Sequence, residues 1–162
     1  RIHPIDRLDT YEGLMGIPGV CIERAGRATQ PDAYGGQKIE MGEEDLPNLT
    51  ATLKYADVAT NFASTVIMEA AIFDRPVVNV GFPEYRRIVY EFEYNKGLLD
   101  TGAVRLAKSP EELLSQINQY LARPELDREQ RRALVREYIP FQDGRTWERT
   151  ADFITQIVES LK

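Results

Sequence analysis

Two hydroxyl residues, Ser64 and Thr65, stand one helical turn ahead of a single acid, Glu69, in the run TNFASTVIMEA over 60–70. Residues four apart project from one face of a helix, and Thr65 and Glu69 would be about 6 Å apart along its axis. A helix start offers unpaired N–H groups and partial positive charge, a combination that favours phosphate. Ala63, Ser64 and Thr65 are small enough for a diphosphate to approach the backbone, and the hydroxyls add donors. A carboxylate one turn further on would accept two hydrogen bonds from a ribose diol. That gives a reason for an acid in an otherwise apolar helix, where burial without a partner is costly. The competing reading leaves Glu69 half-exposed or paired with Arg75, with Ser64 only capping the helix.

The elements needed to hold such a site alternate along the first half of the chain. Arg1–His3 reads as the end of a strand, and about Asp6–Leu14 as helical. PGVCIERAG (18–26) has Val20 and Ile22 in a strand-like run closed by glycine, with Cys21 as a small core residue. A glycine-rich, acidic segment then runs from about Ala25 to Asp45, long for a loop in a compact domain. Leu49 and Leu53 share one face of a helix over 45–57. DVAT (57–60) reads as a strand, Ser64–Phe73 as a helix, and PVVNV (76–80) as a strand buried on both faces. Strands alternating with helices predict a parallel sheet with right-handed crossovers.

The second half reads as mostly helical, with one further strand at AVRLA (103–107). SPEE (109–112) predicts a capped helix start, followed by a stripe of Leu113, Leu114, Ile117 and Leu121. Asp127 and Gln130 predict a second capping box, for a basic helix that Pro140 ends. The final run, 143–162, opens at the Asp143-Gly144 turn and places Trp147, Ala151, Ile154, Val158 and Leu161 at helical spacing. Arg145 and Arg149 then fall on its solvated face. EYRRIVYEFEY (84–94) reads as a helix or lid beside a cleft.

Composition narrows the partners. Net charge is −6 over 162 residues, which weighs against nucleic acid or an anionic membrane as the main surface. One cysteine excludes an internal disulfide and suits a reducing compartment. No run approaches the roughly eighteen apolar residues of a spanning helix. His3 is the only histidine, so neither a triad nor a multi-histidine metal site can be built. Its place at the carboxyl end of a strand suits contact with a ligand. No GxGxxG follows a strand and no GxxxxGK[ST] occurs, which disfavours dinucleotide oxidoreductases and P-loop NTPases.

LKYADVATNFASTVIMEAAIFDRPVVNVGF (53–82) resembles the core of the C-terminal, donor-binding domain of GT-B fold glycosyltransferases. Similar proteins are the CDP-glycerol glycerophosphotransferases and the non-hydrolysing UDP-N-acetylglucosamine 2-epimerases. The shared pattern is a helix, an "AD" strand, a small-residue turn, a helix with one Glu, and a "G-x-P-V-V" strand. Here Asp74-Arg75 stands where the glycine usually precedes the proline, and FAST replaces a glycine-containing turn. RIHP (1–4) resembles the end of that domain's first strand, and FQDGRTWERTADFI (141–154) the head of its last helix.

The resemblance implies an α/β, Rossmann-like three-layer sandwich with a mostly parallel sheet and a helical C-terminal segment. Residues 1–162 would form a single nucleotide-sugar donor-binding domain, the C-terminal half of a two-domain enzyme. Because the chain opens at Arg1 and straight into a strand, upstream residues are expected to have been removed. Ser64 and Thr65 would hold the donor's diphosphate and Glu69 the ribose. His3 and Arg1 would sit at the mouth of the cleft, and Asn61 and Phe62 would line the turn. The donor would be a UDP- or CDP-type sugar or polyol, with no cofactor and no metal required. The acceptor site, and in inverting members usually the catalytic base, would lie in the N-terminal domain, so no catalytic residue is assigned here. The whole enzyme would be cytoplasmic, with peripheral membrane association allowed, and the isolated domain inactive. A 2-epimerase-type sugar-nucleotide enzyme and a non-catalytic α/β interaction module are the alternatives.

Overall fold

Asp45 organises the first of two units into which the chain divides, Arg1–Thr52 and Leu53–Lys162. The structure is a computed structural model that describes residues 1–3, 6–29, 39–82 and 92–161. The Asp45 carboxylate accepts the backbone N–H of Gly26 at 2.9 Å and of Gly42 at 2.6 Å, and the Arg1 guanidinium donates to it at 3.3 Å. Those N–H groups, Gly26 first, hold its carboxyl below the usual range. Gly26 has φ +70°, and a Cβ there would meet Ile39 Cγ2 at 2.6 Å, so both backbone and space require glycine. Around this knot, β1 (Arg27–Ala28) pairs antiparallel with β2 (Ile39–Glu40), and Ile2 bridges Arg24 in parallel. Helix α1 (Asp45–Tyr55) begins at Asp45 itself.

Several expectations for this unit need correcting. Val20 and Ile22 lie in no strand, because only Arg24 of that run pairs with a neighbour. Val20 and Cys21 are exposed, so the cysteine is not a core residue. The helical stretch narrows to a 3-10 helix at Leu8–Leu14. The glycine-rich segment carries β1 and β2, while 30–38 lie outside the described residues.

In the second unit β3 (Ala59–Asn61), β4 (Val77–Val80) and β5 (Val104–Ala107) form a three-stranded parallel sheet in that order. Helix α2 (Val66–Ile72) connects β3 to β4, and α3 (Glu93–Asp100) precedes β5. Helices α4 (Pro110–Ala122), α5 (Arg128–Tyr138) and α6 (Thr146–Ser160) follow. The chain is thus mixed α/β with a small parallel sheet. As the apolar run predicts, Val77, Val78 and Asn79 of β4 are buried. At Gly81 the strand's exit presses on β5: a Cβ would lie 2.3 Å from Leu106 Cδ1. Most of EYRRIVYEFEY, through residue 91, lies outside the described residues, and α3 begins within its end at Glu93.

Helix α4 starts as its sequence predicts, with Pro110 in the first turn and Ser109 Oγ accepting the Glu112 N–H at 3.2 Å. The Glu112 carboxylate reaches one residue further back than a capping box requires, to the Lys108 N–H at 2.7 Å. Its buried face differs from the expected stripe. Tyr120 is fully buried against Val78 and Ala107, with Leu113 and Ile117 beside it. These three residues of α4 stand at i, i+4 and i+7 on one face. Leu114 and Leu121 are rotated about 100° from that face and are exposed.

Asp127 does not cap α5 as expected. Its φ of +57° is left-handed, whereas an N-cap sits in the extended region. Instead its carboxylate accepts the Tyr120 hydroxyl at 2.7 Å and Arg105 Nε at 2.8 Å, while the Arg105 guanidinium lies 4.4 Å from the Tyr120 ring centre. Burial raises the Asp127 carboxyl, but those two donors outweigh it and leave it below its ordinary value. The Tyr120 phenol is pushed far up, by burial first and then by the Asp127 bond.

Asp74 carries a second departure from expectation. It lies just past α2 with φ +55°, and the N–H groups of Asp74 and Arg75 close back on the carbonyls of Ala71 and Ala70, both at 2.9 Å. This is a Schellman ending, the position that most favours glycine. The side chain provides a reason for aspartate there. Its carboxylate accepts Arg128 Nε at 2.7 Å and Arg131 Nε at 2.9 Å, tying the end of α2 to α5. Arg131 is only 1% exposed and also donates to the carbonyls of Leu126, at 2.6 Å, and Pro124, at 3.1 Å.

Helix α6 has no buried residue. Trp147, Ile154, Val158 and Leu161 fall at helical spacing as predicted but face outward. Its start is held by Arg149, which donates to Asp143 at 2.8 Å and stacks on Phe141 at 4.2 Å.

The depressed carboxylates set the acid limit of stability. A group whose folded pKa is lowered contributes above its unfolded value, near 4, and loses that contribution as pH falls through the folded value. Asp127 and Asp45 both belong to this class. The raised Tyr120 phenol acts in the opposite sense, contributing below about 10 and losing effect above it. Thermal melts followed by circular dichroism should therefore be flat between about pH 5 and 9 and fall outside that window. Asp127→Asn should flatten the acid limb.

Candidate functional site

The sequence-predicted residues Asn61, Phe62, Ser64, Thr65 and Glu69 occupy the end of β3, the turn after it and α2. That is the carboxyl end of a parallel strand, where open α/β sheets bind ligands. The turn is tight enough to force Ala63 to φ +47°, a region alanine seldom adopts.

Helix α2 begins at Val66, two residues later than expected. Ser64 Oγ accepts the Val66 N–H at 3.3 Å, so the serine does hold the local backbone, as the capping reading requires. Thr65 is exposed at the N-cap and makes no side-chain cap bond. Phe62 is exposed on the same turn.

Glu69 is half-buried, and its Oε2 is buried with no hydrogen-bond partner among the described residues. The alternative pairing with Arg75 is not formed: no ion pair joins the two, and Arg75 Nε is likewise buried without a partner. Arg75's neighbour Asp74 takes the local arginines instead. Beside Glu69, Tyr94 of α3 brings its hydroxyl within 4.0 Å of Met68 Sδ. Burial pushes the Tyr94 phenol up, and the charge of Glu69 adds to it.

The two remaining candidates belong to the first unit. The Arg1 guanidinium is engaged by Asp45 at 3.3 Å and Glu23 at 3.6 Å, and His3 is exposed. Among the described residues no group of three His, Cys, Asp or Glu side chains is placed to hold a metal, and no helix is long and apolar enough to cross a membrane.

One residue of interest was not singled out in the sequence. Asn79 of β4 is 2% exposed, and its Oδ1 has no partner among the described residues. It stands in register with Asn61, whose Oδ1 and Nδ2 are also buried and without a partner among the described residues. The signal was a polar amide inside VVNV, a run that otherwise demands apolar side chains.

Compared with known protein families, curated proteins and solved structures, the chain matches none.

Proposed function

We propose that this chain is the donor-binding part of a GT-B type transferase, holding the nucleoside diphosphate of an activated sugar or polyol. The observation that carries this reading is the Glu69 carboxylate oxygen, buried and without a partner among the described residues, in the helix after β3. Burial of such an atom costs about 1–3 kcal/mol when nothing donates to it, more when it is charged. A ribose diol would supply the missing donors. The diphosphate would lie at the turn, against the backbone and the exposed Thr65 hydroxyl, with Asn61 and Phe62 alongside. Stabilising charge on a leaving diphosphate in this way would supply part of the catalytic effect.

Two further features support the resemblance behind this reading. Ala63 and Asp74 adopt left-handed backbone in the turn and at the α2 ending, the places where the similar families carry glycine. Sequential right-handed crossovers through β3, β4 and β5 would put α2 and α3 on one face and α4 on the other, completing a Rossmann-like three-layer sandwich. The enzyme would act in the cytoplasm.

Calorimetric titration with UDP, CDP and GDP tests the proposal. Binding of one of them with a Kd in the micromolar-to-millimolar range is expected, without added metal. A preference for UDP-N-acetylglucosamine would point to the 2-epimerase type. No heat with any nucleotide at millimolar concentration would leave the interaction module and remove the transferase.

A further inference from the structure

Asn61 and Asn79 form one register level at the carboxyl ends of β3 and β4. Adjacent strands run about 4.8 Å apart, and register partners point to the same face. Val78 belongs to the core with Tyr120 and Ala107, so the alternation of the strand turns Asn79 to the opposite face. On this level the sheet presents two amides where apolar side chains would otherwise fill the space.

The two amides do not satisfy each other. A side-chain ladder from Asn61 Nδ2 to Asn79 Oδ1 is geometrically natural at this spacing, yet among the described residues both atoms stand without a partner, as does Asn61 Oδ1. Exchanging the oxygen and nitrogen of Asn61 leaves its tally unchanged, one acceptor and one donor. Leaving them bare costs about 1–3 kcal/mol each, whereas an apolar pair of similar shape would cost nothing of the kind.

The chemistry of the open atoms restricts what fits. Two carbonyl oxygens need hydrogen-bond donors. The unprotonated oxygens of the donor's diphosphate only accept, so one would satisfy Nδ2 and leave both carbonyl oxygens bare. A hydroxyl both donates and accepts: one could accept from Asn61 Nδ2 while donating to Asn79 Oδ1, and its vicinal neighbour could donate to Asn61 Oδ1.

We propose that Asn61 and Asn79 together form a hydroxyl-reading subsite that takes the sugar or polyol part of the donor. This rests on the donor-binding reading above and extends it from the nucleotide to the group transferred. Asn61, less deeply buried than Asn79, receives the ligand, and Asn79 forms the floor. A site built around amides also rejects a deoxy analogue strongly, because its buried polar atoms are then left unpaired.

The test compares each full donor with its own nucleoside diphosphate by calorimetry: UDP-N-acetylglucosamine against UDP, and CDP-glycerol against CDP. Asn79→Leu should weaken the preferred full donor about tenfold and leave its nucleoside diphosphate unchanged. Equal loss for both, or loss for neither, overturns the subsite while leaving the nucleotide reading in place. A second measurement follows the side-chain amide resonances of Asn61 and Asn79 in the unsubstituted protein. Shifts with glycerol 3-phosphate or N-acetylglucosamine 1-phosphate, and none with inorganic phosphate, support the subsite even if every nucleotide fails to bind. No shift with either hydroxylated compound means the pair holds no more than an ordered water, and the proposal falls. Should Asn79→Leu not fold, the smaller Asn79→Ala takes its place in the calorimetry, with the same expected outcome.

Discussion

Arg131→Ala is expected to lower the free energy of unfolding by about 2–4 kcal/mol, because a fully buried side chain that donates to three acceptors is lost. That is a large fraction of the 5–15 kcal/mol that holds a typical domain together. The side chain is closed off from solvent and serves three acceptors at once, the Asp74 carboxylate and the carbonyls of Leu126 and Pro124. Its loss leaves the two carbonyls without that donor and opens a cavity between α2 and α5. Arg131→Met refills the space without the charge and should recover part of the loss. Asp74→Asn should fall between, since asparagine tolerates the left-handed backbone but donates where acceptance is needed. Urea unfolding followed by circular dichroism measures all three. A change below about 1 kcal/mol for Arg131→Ala would mean the clamp between the helices is ornamental.

Glu69→Ala has the other large effect, on binding. Hydrogen bonds to a charged group contribute about 1.5–3 kcal/mol, so nucleoside diphosphate affinity should fall about 10- to 100-fold. Pyrophosphate, which has no ribose, should bind Glu69→Ala and the unsubstituted protein alike. The two losses being equal would remove the diol role. Stability should change little or rise, because the substitution deletes a buried oxygen that lacks a partner in the absence of ligand. Glu69→Gln keeps the shape and should lose less affinity. Binding and folding thus pull in opposite directions at this residue, as they do where a site is kept open for a ligand.

How much of this was legible in the residues differs from element to element. The sheet was legible because its strands are short apolar runs bounded by helical ones, and 76–80 and 103–107 fold within a residue of where the pattern puts them. Ser109 and Pro110 announce α4 because capping is a local interaction, settled within four residues. The first unit was poorly legible: Val20 and Ile22 have strand composition, but a strand needs a neighbour, and pairing partners are not written into a run itself. Asp127 failed for a related reason. Its capping signature competed with a distant tyrosine and arginine, and the tertiary bonds won.

The candidate site followed the same division. The order of Asn61, the turn and Glu69 could be read directly, because consecutive residues are neighbours in space. That Glu69 lacks Arg75, and that Asp74 takes Arg128 and Arg131, depends on where α5 packs, more than fifty positions further along the chain. The amide level joining Asn61 to Asn79 needed the strand register, which the pattern of apolar residues leaves open by one step in either direction.

The last helix bears on spectroscopy. Trp147 is the sole tryptophan, and it stands 70% exposed on a helix without a buried residue. The chain's one indole fluorophore therefore reports the surroundings of that helix: its emission will shift when something covers it and stay nearly constant while the sheet melts.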